Sequence, residues 1–442
     1  MKKILVIGAG RSAVTLIKYL LDNAEVNNWS VTVADFSEEL AKQAVNNHPN
    51  AKAIFFNVTD VVQRENEITL ADIVISMLPP AMHIMVAEDC VRLGKNLVTA
   101  SYVSKEILAL DEKAKKAGVL LLNEIGLDPG IDHMSAMQVI DQIKENGGEL
   151  TSFKSFCGGL VHPDYDNNPW NYKFTWNPRN VVLAGQGTAQ YIKQGKYKYI
   201  PYHKLFERTE QMSILEAGEF EGYANRDSLG YRKAYGLEDI LTLFRGTLRR
   251  KGFCKSWNMF VQLGMTDDTY VVENSENMTY REFTNLFFPF NNELTVEQKF
   301  CNYLSVSKNS EEFQKAEWAG IFLDSEIGIT NATPAQILQA ILEKKWTLGA
   351  EDKDMIVMQH QFEYTQSGKQ NKLNSSLLVF GDDPRYTAMA KTVGLPVAIA
   401  VKLILSGAIN SVGVKIPTTK DIYVPVLKEL KGNGINFIEE LV

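Results

Sequence analysis

The sequence predicts an α/β fold: a parallel sheet covered by helices, followed by an α+β region that a small, mostly helical insertion interrupts. Three observations carry this prediction. Short apolar runs alternate with amphipathic stretches over the first 125 residues, the pattern of a parallel sheet packed on both faces. Gly8-Ala9-Gly10-Arg11-Ser12-Ala13 lies between the first such run and the first helix. From residue 150 the chain turns rich in aromatics and glycine with strand-like runs, and between about 270 and 350 it turns polar and helical.

In order, residues 3–7 are the first strand. Ala13, Leu16, Ile17, Leu20 and Leu21 then fall on one face of a helix. Residues 30–34 alternate towards Asp35 as a second strand, and residues 53–56 are a third. Residues 72–77 are a fourth, stopped by Pro79-Pro80; the next helix carries Met82, Met85, Val86, Cys90 and Leu93 on one side. Residues 96–100 and 119–122 complete the sheet, with a helix between them that closes at Gly118. The stretch Asn123-Glu124-Ile125-Gly126-Leu127-Asp128-Pro129-Gly130-Ile131-Asp132-His133 then leads into a helix carrying Met134, Met137, Ile140 and Ile143. Gly126, Pro129 and Gly130 bend that path sharply. Further on, residues 152–156 and 181–183 read as strands, with Cys157-Gly158-Gly159 ending the first. Thr333-Pro334 starts a helix through Ile337, Leu338, Ile341 and Leu342. Residues 355–364 and 376–380 read as strands rejoining the middle sheet, and residues 387–405 as a helix with Gly394-Leu395-Pro396 inside it.

Composition narrows the function classes. With 442 residues and 45% apolar content the chain is globular and long enough for two or three domains. A net charge of −7 offers no basic excess to neutralise phosphates, so nucleic acid is not an expected partner. Cys90, Cys157, Cys254 and Cys301 are far apart, without a C-x-x-C pair or a histidine at ligand spacing. Neither a disulfide framework nor a metal site is expected, and a reducing, cytoplasmic setting fits best. The apolar runs at 4–7 and 393–405 fall short of the ~20 residues of a membrane span, so no membrane partner is expected.

The glycine motif has the G-x-G-x-x-A form of a dinucleotide site. Its first glycine permits a tight turn, its second lets a pyrophosphate approach the backbone, and Ala13 lets helix and strand pack closely. Together with its strand and helix this makes the first domain Rossmann-type. Asp35 ends the second strand, where a carboxylate accepts hydrogen bonds from ribose hydroxyls and repels a 2′-phosphate. NAD is thus favoured over NADP. Asp128, Asp132, His133, Ser101 and Tyr102 all map near strand ends, where ligands of open α/β sheets bind. An acidic helix start and a turn account equally for the two aspartates. Cys157 is either a buried inert thiol or part of a site. Arg226, in a loop, and Arg245 and Arg249, bracketing Gly246-Thr247-Leu248, suit a substrate with carboxylates, although solvated surface charge is the commoner fate of an arginine. The aromatic stretch 169–176 reads as core packing before it reads as pocket lining.

These residues together resemble the saccharopine dehydrogenase family, in its glutamate-forming type. The resemblance is carried by the glycine motif, residues 75–79, 98–102, 123–133, 155–160 and 168–176, Asn225-Arg226-Asp227-Ser228, residues 245–249 and residues 387–394. It spans nearly the whole chain and is weakest between about 265 and 350. It implies a Rossmann domain over 1–128 completed by 390–442, an α+β substrate and dimerisation domain over 129–270 and 351–389, and a helical insertion over 271–350. It implies oxidation of the secondary amine of saccharopine by a nicotinamide cofactor, with hydrolysis of the imine to glutamate and α-aminoadipate semialdehyde, or the reverse, and a homodimer. The substrate set it implies is Ser101, Tyr102, Asp128, Arg226, Thr247, Leu248 and Arg249, with Cys157 nearby; Asp128 and Tyr102 are the candidate catalytic pair. Asp128 either handles a proton, through water, or serves only as an acceptor that orients the substrate amine. The cofactor set is Gly8, Gly10, Arg11, Ser12, Ala13, Asp35, Phe36, Ser76, Leu78, Thr99, Ala100 and Leu127. Some family members prefer NADP and carry an arginine just after the second strand; Asp35-Phe36 departs from that form, so NAD is expected and NADP remains open. A related imine reductase, as in carboxynorspermidine synthesis, and a non-catalytic nucleotide-binding homologue are the alternatives.

Overall fold

The computed structural model describes residues 1–442 and contains two compact units. The first comprises Met1–Leu150, Tyr364–Asn371 and Leu377–Val442; the second comprises Thr151–Glu363 and Lys372–Ser376.

The first unit opens with six strands, β1 (Lys2–Ile7), β2 (Trp29–Asp35), β3 (Ala51–Phe55), β4 (Ile73–Ser76), β5 (Asn96–Val98) and β6 (Leu120–Leu122). Between them run α1 (Val14–Asp22), α2 (Glu38–Val45), α3 (Val61–Leu70), α4 (His83–Leu93), α5 (Lys105–Leu108) and α6 (Asp111–Ala117), and α7 (Ile131–Glu145) follows. The strands are parallel, in the order β6-β5-β4-β1-β2-β3. Ile4, Leu5, Val6 and Ile7, all of β4 and all of β6 are buried, as strands covered on both faces must be. Strand order reverses between β4 and β1, which opens a crevice at the carboxyl ends of those strands. Gly118 closes α6 in the left-handed region, as its sequence position predicts.

The second unit is built on a mixed sheet. Its elements are β7 (Glu149–Val161), α8 (Pro178–Val182), β8 (Ala189–Lys193), β9 (Lys196–Ile200), β10 (Thr209–Ser213), β11 (Glu219–Ala224), β12 (Thr242–Arg250) and α9 (Phe253–Leu263). Then come α10 (Tyr280–Asn285), α11 (Val296–Leu304), α12 (Glu311–Ala319) and α13 (Pro334–Trp346), followed by β13 (Asp354–Gln366) and β14 (Lys369–Phe380), two strands whose residues are divided between the two units. The sheet order is β10-β11-β12-β7-β13-β14, with a last strand, β16 (Ile438–Leu441), beside β14 and the β8–β9 hairpin on β12. The pairs β10–β11 and β11–β12 are antiparallel, whereas β12 and β7 are parallel. The expected return of the chain to this sheet is thus met by β13 and β14.

Two local expectations are corrected. Residues 181–183 are not a strand: Asn177 caps a helix whose first position is Pro178, and that start signal outweighs three apolar residues in a row. Cys157-Gly158-Gly159 does not end β7 but lies within it. A Cβ on Gly158 would come within 2.8 Å of the Leu248 Cβ and carbonyl oxygen, so glycine here serves close packing inside the sheet.

The chain then contributes α14 (Ala388–Leu405), β15 (Gly413–Lys415), α15 (Lys420–Gly432) and β16 (Ile438–Leu441) to the first unit. β15 extends the parallel sheet beside β6. By length and composition α14 could cross a membrane, but 61% of it is buried here, packed along α1. A Cβ on Gly394 would lie 2.9 Å from the Leu16 nitrogen, so this glycine sets how closely the two helices approach.

Candidate active site

In the first unit the functional candidates converge on the carboxyl ends of the parallel strands. β1 ends in the glycine turn. Gly8 sits at φ +106, and a Cβ there would meet the Met77 carbonyl oxygen at 2.8 Å. Gly10 is exposed, with no atom within 4 Å of where its Cβ would stand. No side chain caps the turn Arg11–Ala13 that leads into α1. Open space over a glycine, uncapped backbone at a helix start and a buried Ala13 fit a dinucleotide pyrophosphate. The Asp35 carboxylate is aimed by two backbone donors: Ala9 N–H to Oδ2 at 2.7 Å and Ser37 N–H to Oδ1 at 2.8 Å. Each oxygen retains a lone pair for a ribose hydroxyl. Phe36, 72% exposed, lies 5.5 Å from the exposed ring of Phe55. Phe55 was not expected; its signal is an apolar side chain at the end of a strand beside the acidic one.

The next strands bring Ser76, Leu78, Thr99, Ala100, Ser101 and Tyr102 to the same sheet edge. Ser76 and Thr99 are fully buried, Ser101 is half-buried and Tyr102 exposed. The Tyr102 hydroxyl reaches Asp128 Oδ1 at 3.4 Å, so the candidate pair is one interacting unit. His83, absent from the sequence candidates, stands between Ser76 and Ser101, 2.8 and 2.7 Å from their Oγ atoms. Burial pushes its pKa down to about 4, partly offset by the Leu78 carbonyl, so the ring is neutral at pH 7.

The 123–133 stretch folds into a closed turn. Gly126 N–H donates to the Pro129 carbonyl, Ile131 N–H to that of Gly126, and Asp132 N–H to that of Leu127. The Asp128–Pro129 peptide is cis. Asp132 Oδ1 accepts from Gly130 N–H at 2.6 Å and is 1% exposed, which makes it a helix-start group. His133, fully buried, bonds Glu124 Oε2 at 2.9 Å, while Glu124 Oε1 accepts from Val103 N–H. The half-buried Asp128 is thereby the carboxylate left nearer the surface of the turn.

The second unit holds the other candidates. Cys157 on β7 stands opposite Thr247 on β12, and Thr247 opposite Tyr223 on β11. Arg249 is 4% exposed and makes no ion pair; one Nη donates to the Leu248 carbonyl and Nε has no hydrogen-bond partner. Its guanidinium lies over Tyr172, Phe253 and Tyr223 at 4.9, 5.3 and 5.8 Å. Burial raises both tyrosine pKa values and the arginine charge lowers them in part, so both hydroxyls stay protonated. Arg226 is exposed at φ +20, in a loop pinned to β8 by Gln190 N–H and Ser228 N–H. Arg245 instead turns inward over the ring of Tyr231. Trp170, Tyr172 and Phe174 are buried among Trp257, Phe253 and Trp346, so this stretch is core, as composition predicts, except that Tyr172 also faces Arg249.

Two family models match along the chain: the saccharopine dehydrogenase NADP binding domain over residues 4–122 and the saccharopine dehydrogenase C-terminal domain over residues 126–435. The saccharopine dehydrogenase (NADP(+), L-glutamate-forming) of Schizosaccharomyces pombe is 34% identical over 453 residues, covering 100% of this chain and 99% of that protein. The mitochondrial alpha-aminoadipic semialdehyde synthase of Mus musculus is 34% identical over 456 residues, which are 99% of this chain and 47% of that protein. The chain thus spans about half the length of the mouse relative. The solved structure of apo saccharopine dehydrogenase (L-Glu forming) from Saccharomyces cerevisiae superposes with a TM-score of 0.90 at 32% identity, covering 100% of both chains. A sheet with the dinucleotide strand order, a mixed-sheet unit with a buried unpaired arginine, and matches over almost the full length converge: the chain belongs to the saccharopine dehydrogenase family.

Proposed function

We propose that this protein is a nicotinamide-dependent saccharopine dehydrogenase of the glutamate-forming type, interconverting saccharopine and water with glutamate and α-aminoadipate semialdehyde. The observation that carries the reading is Arg249, a buried guanidinium with an unused Nε–H and no carboxylate of its own. Burying an unpaired charge is costly, and an anionic substrate that enters to pair with it recovers that cost. Saccharopine has three carboxylates, and Arg226 offers a second guanidinium on an exposed loop. The named activities of the relatives point to the same chemistry.

In this reading the bound nicotinamide supplies hydride transfer to and from the carbon that becomes the aldehyde. The chain's own residues do the rest. Arg249 and Arg226 fix substrate carboxylates, which restricts the amine-bearing carbon to one orientation. Oxidation leaves a C=N bond; water adds to its carbon, and the C–N bond then breaks with the proton delivered to the departing glutamate nitrogen. Asp128, hydrogen-bonded by Tyr102, takes the proton from that water at Oδ1 or Oδ2 and returns it to nitrogen.

We further infer a preference for NAD over NADP. The Asp35 carboxylate, held beside the glycine turn by Ala9 N–H, would repel a 2′-phosphate. Residue 36 is phenylalanine, where an arginine would pair with that phosphate. A homodimer in the cytoplasm completes the proposal, the location supported by four free thiols. Sedimentation of the purified protein tests the dimer.

Initial rates with saccharopine and each oxidised cofactor test the activity and the preference together. Turnover with both, faster with NAD, is expected. A reverse-direction panel pairing α-aminoadipate semialdehyde with glutamate or a diamine separates the alternatives: preference for the diamine indicates a related imine reductase, and cofactor binding without turnover indicates a non-catalytic homologue.

A further inference from the structure

His83 is the first residue of α4, placed by the short turn Pro80–Met82 that reverses the chain after β4. Ser76 is the last residue of β4, and Ser101 follows β5, the neighbouring strand. The imidazole therefore spans the ends of two adjacent strands, with Nδ1 at 2.8 Å from Ser76 Oγ and Nε2 at 2.7 Å from Ser101 Oγ. Ser76 is 0% exposed and His83 2%, while Ser101 reaches the surface of the crevice. A neutral imidazole carries one N–H and one lone pair. The ring N–H and lone pair are shared among the two hydroxyls and the Leu78 carbonyl, so the tautomer of the ring restricts the direction of both hydroxyl protons. A buried imidazole serving only as core filler would not need hydroxyls on both nitrogens at these distances.

We propose that His83 is a positioning residue for the reaction: it holds the Ser101 hydroxyl in a single donor–acceptor orientation towards the substrate and ties that orientation to Ser76 on the cofactor side. The inference rests on the substrate role of Ser101 proposed above. His83 itself touches neither substrate nor cofactor and acts through the two serines.

The test is a double-mutant cycle on kcat/KM for saccharopine. Ser101→Ala and His83→Phe, which keeps a ring of similar size without hydrogen bonds, should each lower kcat/KM about tenfold, the worth of one misaligned hydrogen bond. The double variant should fall no further than the worse single, and His83→Gln, which restores a donor and an acceptor, should recover most of the loss. Losses that multiply, or an effect of His83→Phe below twofold, overturn the proposal. Nitrogen-15 NMR of histidine-labelled wild type and Ser101→Ala gives a readout independent of turnover and of how the His83 variants fold. A neutral ring whose Nε2 resonance moves in Ser101→Ala is expected; an imidazolium at pH 7, or an unmoved resonance, overturns the bridge. If wild type fails to turn over saccharopine while the NMR result holds, the substrate assignment has failed and the bridge stands.

Discussion

A guanidinium buried under three aromatic rings is stabilised by their π-faces but still lacks an anion. Replacing Arg249 by methionine removes an unpaired buried charge and keeps much of its packing volume, so the ligand-free protein should be as stable or more stable, by up to roughly 1–4 kcal/mol. The same substitution should raise the Michaelis constant for saccharopine about a hundredfold, the worth of one or two charge-assisted hydrogen bonds, with NAD affinity unchanged. Denaturant titration and steady-state kinetics check the pair of effects; a destabilised protein with intact substrate affinity would make Arg249 a structural charge. Asp35 behaves oppositely, since its carboxylate already has two backbone donors. Asp35→Ala should weaken NAD by about tenfold and leave NADP little changed or improved, narrowing the proposed preference. Dissociation constants from fluorescence titration decide it, and an unaltered ratio would remove Asp35 from the ribose site.

At the scale of elements, the turn between β6 and α7 carries the most local constraint. Gly130 has φ +147, open to glycine alone, and a Cβ there would stand 2.1 Å from the Gly126 carbonyl oxygen. Around it, Asp132 accepts from Gly130 N–H and Glu124 bonds His133, so the loop is held from both sides while Asp128 stays near the surface. Gly130→Ala should cost about 3 kcal/mol, because neither the dihedral angle nor the contact can relax without opening the turn. Chemical denaturation measures that loss, and activity should fall with it as Asp128 leaves its place beside Tyr102. A stable and fully active Gly130→Ala would mean that the turn positions nothing.

At the scale of the whole molecule, the buried imidazole of His83 links stability to acidity. Its pKa is about 4 when folded and near 6.5 when unfolded, so between those values the unfolded chain binds more protons. Stability therefore falls as pH drops from about 6.5 to about 4, by roughly 3 kcal/mol from this group. His83→Gln, with nothing to protonate there, should lose less over the same window. Urea unfolding at pH 7 and pH 4.5 on both proteins reads the difference; equal losses would place the acid sensitivity elsewhere.

The first unit was legible because its physics is local. Apolar strands buried on both faces, helices with one apolar side, Gly118 at a helix end and the motif around Gly8 and Gly10 are all written within a few neighbouring positions. The Thr333-Pro334 helix start was legible for the same reason, and Asn177-Pro178 carried the same signal that three apolar residues obscured. Asp35 at the end of β2 was legible too, because a strand and its last residue are read from adjacent positions. The tertiary structure alone decided how residues far apart in the chain are paired. It separated Asp132, spent on Gly130, from Asp128, and gave His133 to Glu124. It surrounded Arg249 with rings from residues 172, 223 and 253 and gave it no carboxylate. It set His83 between serines 7 and 18 positions away. Backbone preference and hydrophobic period act over a few residues, whereas the desolvation of a charge and the partner of a hydrogen bond depend on which strands the sheet sets side by side.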